Sequence, residues 1–467
     1  MAVAASNALV RPRRNRFARW LRRRNDVWLG VAMGGLVALL ILRLPMDAAL
    51  ASSVVGAFII VSLVDTRVAL LTLILIRAII DVAAKVPLLG AEGAVDINAA
   101  AVMTFLIIGI GVAHIGTRRL KIWRMPLVKP FSAYLAIAFI GLALAPDLGL
   151  ALEDWLRAVS AFLVYVLVVD LMEDQRDWRL LIHIMIMAAV VPVAVGVYQF
   201  ATDTGQQSEG IRRLVGTFTH PAPYAFFLVG LLPLSIVTFV HTRSRLLRVG
   251  LLVLIPAMML DIYGSQTRGA WIGLAVLATV FLATRARWAV LLVPLAAGAL
   301  FFALPGVQAR FDEASSDTGS VFWRQKTWEE SLRVASPVQM VTTGAGLRAV
   351  DVELGALSHN EYIRLFAETG VWGLLSVLLL YKGLLGIALK GYREAESRYK
   401  RDLMLAFIMA LFARMVSALA DNILIFPVLE WYFWAFAGVI VVAAGAYQRR
   451  PAYLTEPDAA AEVKSAA

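Results

Sequence analysis

Cysteine is absent from this 467-residue chain, which excludes disulfides and thiolate metal sites. Charge is scarce as well: 16% of residues are charged, where a soluble domain carries about a quarter. Histidine occurs five times. No cytoplasmic DxD-type carboxylate pair is present to hold a metal–nucleotide sugar, which argues against a nucleotide-sugar donor. No small-residue cleavage site follows the first apolar segment, so that segment reads as a retained signal anchor. No internal repeat is visible either, and paired halves with interrupted helices at matching places are what a secondary transporter usually shows.

Aliphatic sequence is what the chain has in abundance: 60% of residues are hydrophobic. Apolar runs of roughly 17–20 residues, enough to cross a bilayer core, recur at 27–43, 47–64, 68–86, 98–116, 130–146, 157–172, 180–200, 222–240, 249–264, 270–284, 288–306, 369–389, 402–424 and 427–446. The third contains Arg77 and Asp81, and the ninth and tenth are short. The expected fold is therefore an all-α polytopic membrane protein, a bundle of about 12–14 transmembrane helices with one long outer loop containing short helices. The division is a basic tail (1–26), helices 1–11 with short loops (27–306, including an outer loop at 201–221), a loop domain (307–368), helices 12–14 (369–446) and a second tail (447–467).

The net charge of +11 points to nucleic acid only if its distribution is ignored. Residues 11–24, "RPRRNRFARWLRRR", place eight arginines directly before the first span, an inside-anchoring pattern. With the N-terminus inside, the cytoplasmic segments hold 29 of the 44 Lys and Arg although most are very short. Both termini are expected in the cytoplasm. In the long outer loop Val321, Trp328, Leu332 and Ala335 recur at helical spacing, with Arg324, Lys326, Glu329 and Glu330 on other faces, which predicts an amphipathic helix along the membrane surface. The C-terminal "LTEPDAAAEVKSAA" reads as disordered.

Of the five histidines, His114, His183 and His241 fit packing or interface snorkelling, whereas His220 and His359 fall on the outer face. His359 lies in "LSHNEYIRLFAETGVWGLL", a polar opening to an apolar helix. Ser358 and Glu361 form an S-x-x-E capping box, which predicts a helix start with His359 in its first turn. The positive end of that helix disfavours imidazolium and would leave the ring neutral and able to accept a proton. Arg364 and Glu368, four apart, can pair on another flank. Arg212 and Arg213 precede "GTFTHP", and Arg268 lies in the turn "GSQTRGAW"; guanidinium groups converging on one cavity suit a pyrophosphate. Gly264 and Gly269 would let the backbone approach a ligand closely. The bland alternatives are a capping polar residue for His359 and headgroup snorkelling for Arg268. "GAG" at 344–346 reads as a turn rather than a phosphate loop. Arg77 with Asp81, and Arg414 with Asp421, read as intramembrane pairs or cavity-lining groups.

Three stretches, "HNEYIRLFAETGVWGLL" from His359 through Gly370, "TRGAWIGL" at 267–274 and "RLVGTFTHPAPYAFFL" at 213–228, together resemble the bacterial O-antigen ligase and O-antigen polymerase superfamily. "FWRQKTWEESL" and "TTGAG" inside the long loop are similar to that family's domain, so the resemblance covers about residues 205–380. It implies an inner-membrane glycosyltransferase with its active site on the periplasmic side, using neither nucleotide sugar, metal nor cofactor. The implied donor is a glycan on undecaprenyl pyrophosphate; the acceptor is a sugar hydroxyl of a glycan or of lipid A-core, in lipopolysaccharide or exopolysaccharide biosynthesis. On this chain His359 would be the general base, and Arg213 and Arg268 would bind pyrophosphate and offset leaving-group charge. Arg212, His220, Arg324, Arg348, Asn360, Tyr362 and Arg364 are the candidate substrate-binding residues. The family's ligases carry Arg-x3-Leu where this chain has Arg268 and Ile272. "GTFTHPAPYAFF" is more similar to the polymerases, so polymerase is favoured over ligase. The expected partners are donor, acceptor, membrane lipids and other polysaccharide-assembly proteins, with no nucleic acid. The rival class is a secondary transporter or flippase lined by Arg77, Asp81, Arg414 and Asp421; a non-catalytic scaffold would leave the outer His and Arg set without purpose.

Overall fold

The computed structural model describes residues 65–81, 87–89, 97–208, 211–303, 307–308, 312 and 320–447. The expected spans 27–43 and 47–64, both terminal tails apart from Tyr447, and most of 304–319 lie outside them. Contacts divide the chain after Ala69. In the first unit Asp65 opens α1 (Thr66–Arg77) by accepting from the backbone N–H of Arg67 at 2.9 Å. Everything below concerns the unit from Leu70 onward.

That unit is built of helices with two small antiparallel ribbons, β1 (Pro87–Leu89) with β2 (Ile97–Asn98) and β3 (Gln206–Ser208) with β4 (Ile211–Arg213). The helices are α2 (Ala99–Arg118), α3 (Val128–Leu142), α4 (Leu148–Leu171), α5 (Gln175–Ala188), α6 (Val190–Ala201), α7 (Pro221–His241), α8 (Arg245–Gly264), α9 (Arg268–Arg285) and α10 (Leu292–Ala303). After them come α11 (Ser320–Val334), α12 (Pro337–Val341), α13 (Ala349–Leu354), α14 (Glu361–Arg393), α15 (Arg398–Ala420) and α16 (Pro427–Ala443). Among the described residues, seven stretches are long and apolar enough to cross a membrane: α2, the run α5–α6, α7, α8, α9, α14 and α15. This is the pattern of a multi-pass, all-α membrane protein. Helices α3 and α16 and the stretch Arg287–Ala303 are apolar but shorter. Among the described residues, the expected span 68–86 is helical only to Arg77, where turns take over and the Arg77 guanidinium turns back to Asp81 at 2.8 Å.

Local signals account for the helix starts. Asp147, Asp174, Ser244 and Ser397 each cap with a side-chain oxygen, and Pro221 and Pro427 sit at first helical positions where their missing N–H costs nothing. The core gathers around α16, whose residues from Val428 to Val441 are all buried. Trp431 donates to Ser160 Oγ at 2.8 Å, tying α16 to α4, and Gly438 lets Val168 of α4 approach where a Cβ would stand 2.7 Å from its methyl carbon. Helix α15 runs through the same core between α7, α9 and α14.

Several ionisable groups inside the bundle are paired with an opposite charge, as a low-dielectric surrounding favours. Arg414 binds Glu430 and donates to the Tyr381 hydroxyl at 3.2 Å; Glu430 also accepts from the Trp434 indole at 3.1 Å. His114 meets Asp170 at 2.9 Å. The expected pairing of Arg414 with Asp421 is therefore corrected: a residue on the adjacent helix supplies the carboxylate.

Helix α14 is broken at Gly370, whose φ of 65° and ψ of −173° lie where only glycine is at ease. The break leaves carbonyls of a first piece, Glu361–Thr369, without helical partners. The "TTGAG" turn supplies them: the N–H groups of Ala345 and Gly346 donate to the carbonyls of Ala367 and Glu368 at 2.8 and 3.1 Å, and Leu347 N–H donates to the Gly141 carbonyl at the end of α3 at 3.2 Å. The 344–346 loop is thus a helix cap, in agreement with its reading as a turn. Replacing Gly370 with Ala forces a Cβ to 2.6 Å from the Thr342 carbonyl oxygen, in a glycine-only conformation. Gly370→Ala is expected to lower stability by about 2–4 kcal/mol. Gly109→Ala, which meets open space, is the control; thermal unfolding of both variants in detergent checks the difference.

Candidate functional site

One end of the bundle collects the starts of α7, α9, α14 and α16 and the ends of α8 and α15. The segment Ala420–Asp421–Asn422 closes α15 there and grips the residues before α14. The Asn422 side-chain oxygen accepts from His359 N–H at 2.7 Å, its amide donates to Ser358 Oγ at 3.0 Å, and Leu424 N–H donates to Glu361 at 2.9 Å. Trp328 of α11 adds a hydrogen bond to the Ser358 carbonyl at 2.9 Å.

Held this way, His359 has φ of 49° and lies outside the helix. The expected S-x-x-E box is corrected. Asn360 is the cap, accepting from the N–H groups of Tyr362 and Ile363, because Ser358 Oγ is already engaged with Asn422 and with the Asn360 backbone. Glu361 binds Arg364 and Leu424 N–H instead of reaching back.

The His359 ring, 29% exposed, places Nδ1 3.1 Å from Asp421 Oδ1. Burial by itself would raise the Asp421 carboxyl. The hydrogen bond and charge of His359, the Asn422 N–H and nearby His220 outweigh that and hold it below its ordinary 3.8. An ionised carboxylate only accepts, so in the neutral ring the network assigns the proton to Nδ1 and leaves the Nε2 lone pair available. The Trp323 indole meets the ring edge-on, with centroids 5.6 Å apart.

The arginine turn stands beside this pair. Arg213, buried on β4, donates from Nε to the Ser265 carbonyl at 3.0 Å and from Nη2 to Thr267 Oγ1 at 3.2 Å; Leu214 N–H donates to the Gly264 carbonyl at 3.0 Å. Two elements distant in sequence thus bring Arg213 against the residues preceding Arg268, which opens α9. A Cβ built on Gly269 would stand 3.0 Å from Cβ of Ala420, the neighbour of Asp421. The glycines at 264 and 269 therefore serve helix contact, with Leu214 and with Ala420 and Phe226, and the expectation that they admit a ligand is corrected.

The other candidates separate into groups. Arg212 alternates to the opposite face of β4, half exposed, and pairs with exposed Asp203 at 2.8 Å. His220 caps α7 through Nδ1, accepting from Ala222 N–H at 3.3 Å, and is close enough to lower Asp421 electrostatically. Asn360 is buried in its capping role, and the Tyr362 hydroxyl donates to the Met415 carbonyl at 2.9 Å. Arg364 is 4% exposed and enclosed by Glu361 at 2.6 Å, Glu368 at 3.0 Å and Asp154 at 3.4 Å. Arg348 joins the same network through Asp351 at 2.6 Å and Asp154 at 3.8 Å. Arg324 lies half-buried on α11, one residue after Trp323. The inward side of α11 carries Thr327 and Ser331; of the expected apolar stripe, Ala335 just beyond the helix is buried while Val321 is 47% exposed, so the stripe is corrected at its start.

Sequence reasoning missed Asn422 and Trp323, and it gave Asp421 the wrong partner, Arg414 in place of His359. The polar "DN" closing an otherwise apolar helix was the available signal. Among the described residues, no group of three or more His, Asp or Glu is arranged to hold a metal ion. No family model matches the chain, and no curated protein matches it.

The lowered Asp421 sets a pH dependence. A depressed carboxyl contributes stability that is complete above its unfolded value and lost as pH falls through the folded value. The stability difference between the wild type and Asp421→Asn is therefore expected to shrink as pH falls below 3.8, measured by thermal unfolding across that range.

Proposed function

We propose that the chain is a glycosyltransferase of the inner membrane that transfers or polymerises an undecaprenyl-pyrophosphate-linked glycan on the periplasmic face. In this reading the helices form a bundle of about 12–14 spans, both termini are cytoplasmic, and the segment around α11–α13 is periplasmic. The observation that carries the proposal is the juxtaposition of a His359–Asp421 pair with the Arg213–Arg268 turn, through contact of Gly269 with Ala420. A basic nitrogen oriented by a carboxylate suits proton abstraction, and adjacent guanidinium groups suit a pyrophosphate leaving group.

The step is an inverting displacement. The acceptor hydroxyl gives its proton to His359 Nε2 as its oxygen attacks the anomeric carbon. The bond from that carbon to the pyrophosphate oxygen breaks, and the electron pair leaves with undecaprenyl pyrophosphate. Asp421 stabilises the imidazolium so formed, and Arg213 and Arg268 offset the charge developing on the leaving oxygen. The similarity of "GTFTHPAPYAFF" to the polymerases and Ile272 in place of the ligases' leucine favour a polymerase, with a glycan acceptor, over transfer to lipid A-core. The glycosyltransferase reading is preferred to the transporter one because Arg414 is paired with Glu430 and Asp421 with His359.

Purified protein given a lipid-pyrophosphate glycan and separate acceptors is expected to transfer without added metal or nucleotide, read by gel and mass analysis. His359→Ala and Arg268→Ala are expected to abolish transfer, and Asp421→Asn to lower kcat by roughly 10²–10⁴-fold with donor binding retained. Ladder growth identifies a polymerase, and single addition to lipid A-core a ligase. Full transfer in both alanine variants would exclude this site.

A further inference from the structure

The end of the bundle opposite His359 holds a second His–Asp pair that the proposed reaction does not use. Asp402 and Asp421 lie at the two ends of α15, nineteen residues and about 28 Å apart along its axis. Asp402 accepts from the His241 ring at 2.9 Å through one oxygen, binds Arg285 through the other, and has Arg398 Nε at 3.8 Å. Two guanidinium groups thus share one carboxylate, and one positive charge is left over at the membrane edge. Arg398 is 78% exposed and Arg285 39%, so both reach a ligand from outside the bundle.

These charges stand at the mouth of a wide apolar groove of about 1390 Å³ between α7, α9, α10 and α15. Its walls include Pro233, Ala278, Phe281, Leu292, Phe301 and Met409, and Tyr263 and Trp271 mark its far end. From Arg285 to Trp271 along α9 is about 21 Å, more than the depth of one leaflet of a hydrocarbon core about 30 Å thick. Trp288, three residues after Arg285, is 73% exposed, as an interfacial aromatic is.

We propose that this groove binds an anionic diacyl phospholipid, with its phosphate on Arg285 and Arg398 and its acyl chains along α9 toward Trp271. Charge complementarity selects this occupant: a monoanionic phosphodiester neutralises the single uncompensated charge, and basic pockets between membrane helices favour such headgroups. Asp402 holds the two guanidinium groups apart at the rim, and His241 fixes the carboxylate from the inner side. A zwitterionic lipid would fill the apolar walls equally but bring its own cation against the arginines.

The test uses the full chain, stripped of lipid in a neutral detergent and titrated with phosphatidylglycerol or phosphatidylcholine of matched acyl chains, with bound lipid counted by native mass spectrometry. The wild type is expected to take up phosphatidylglycerol at about tenfold lower concentration. Arg285→Gln and Arg398→Gln, singly and together, are expected to erase the preference while phosphatidylcholine uptake persists, and Ala278→Trp to reduce uptake of both. Arg243→Gln, an exposed arginine beyond the end of α7, is the surface control and is expected to leave the preference intact. A thermal transition recorded for each variant confirms folding, and Arg398, being the most exposed, supplies the variant least dependent on it. Equal uptake of the two lipids by the wild type, a preference surviving both arginine changes, an equal loss in Arg243→Gln, or displacement of phosphatidylglycerol by equimolar undecaprenyl phosphate would each overturn the proposal.

Discussion

The grip of Asn422 and Asp421 on the residues before α14 is the constraint from which the functional end is assembled. A membrane helix that ends in an acid and an amide must satisfy both at low dielectric. Here they satisfy themselves on a second chain segment, the amide on Ser358 and His359 N–H and the acid on the His359 ring. The same contact holds His359 outside the helix, at positive φ, and aims its ring. Because α15 also touches the first turn of α9, whatever positions Asp421 positions the arginine turn as well.

Behind that corner lies a second layer of buried charge. Arg364 is surrounded by Glu361, Glu368 and Asp154. Removing one partner from such a cluster leaves an uncompensated ion, which costs more than the pair contributes. Glu361 belongs to both layers, since one carboxylate oxygen serves Arg364 and the other accepts from Leu424 N–H beside the Asp421–Asn422 corner. The candidate site is therefore backed by a layer of buried, mutually paired ions.

Residues whose role follows from local periodicity were legible in the sequence. Most apolar runs among the described residues correspond to helices, the arginine loop and the arginine turn do meet, and Arg77 finds Asp81 one turn away. The alternation of a strand explains why Arg213 turns inward and Arg212 outward, but neighbours in an unassigned loop carry no such mark. The His359–Asp421 pair spans 62 positions, and spacing alone offered Arg414 as a nearer partner for the acid. The S-x-x-E pattern misled for a related reason: a serine hydroxyl recruited by a residue far along the chain cannot also cap its own helix. Glycines 264 and 269 carry helix contacts whose partners lie on other elements, invisible until the bundle is assembled.

The break at Gly370 gives the two parts of α14 different masters. The 23 residues beyond it belong to the bilayer, and a change in hydrocarbon thickness is met by tilting such a segment. The nine residues before it answer instead to the Asp421–Asn422 corner and to the turn that caps them at Ala367 and Glu368. Without the break, a tilt of the span would swing the histidine through an arc set by the length of an unbroken rod. With it, the lever is cut at its fulcrum, and the working end keeps its aim while the shaft follows the membrane.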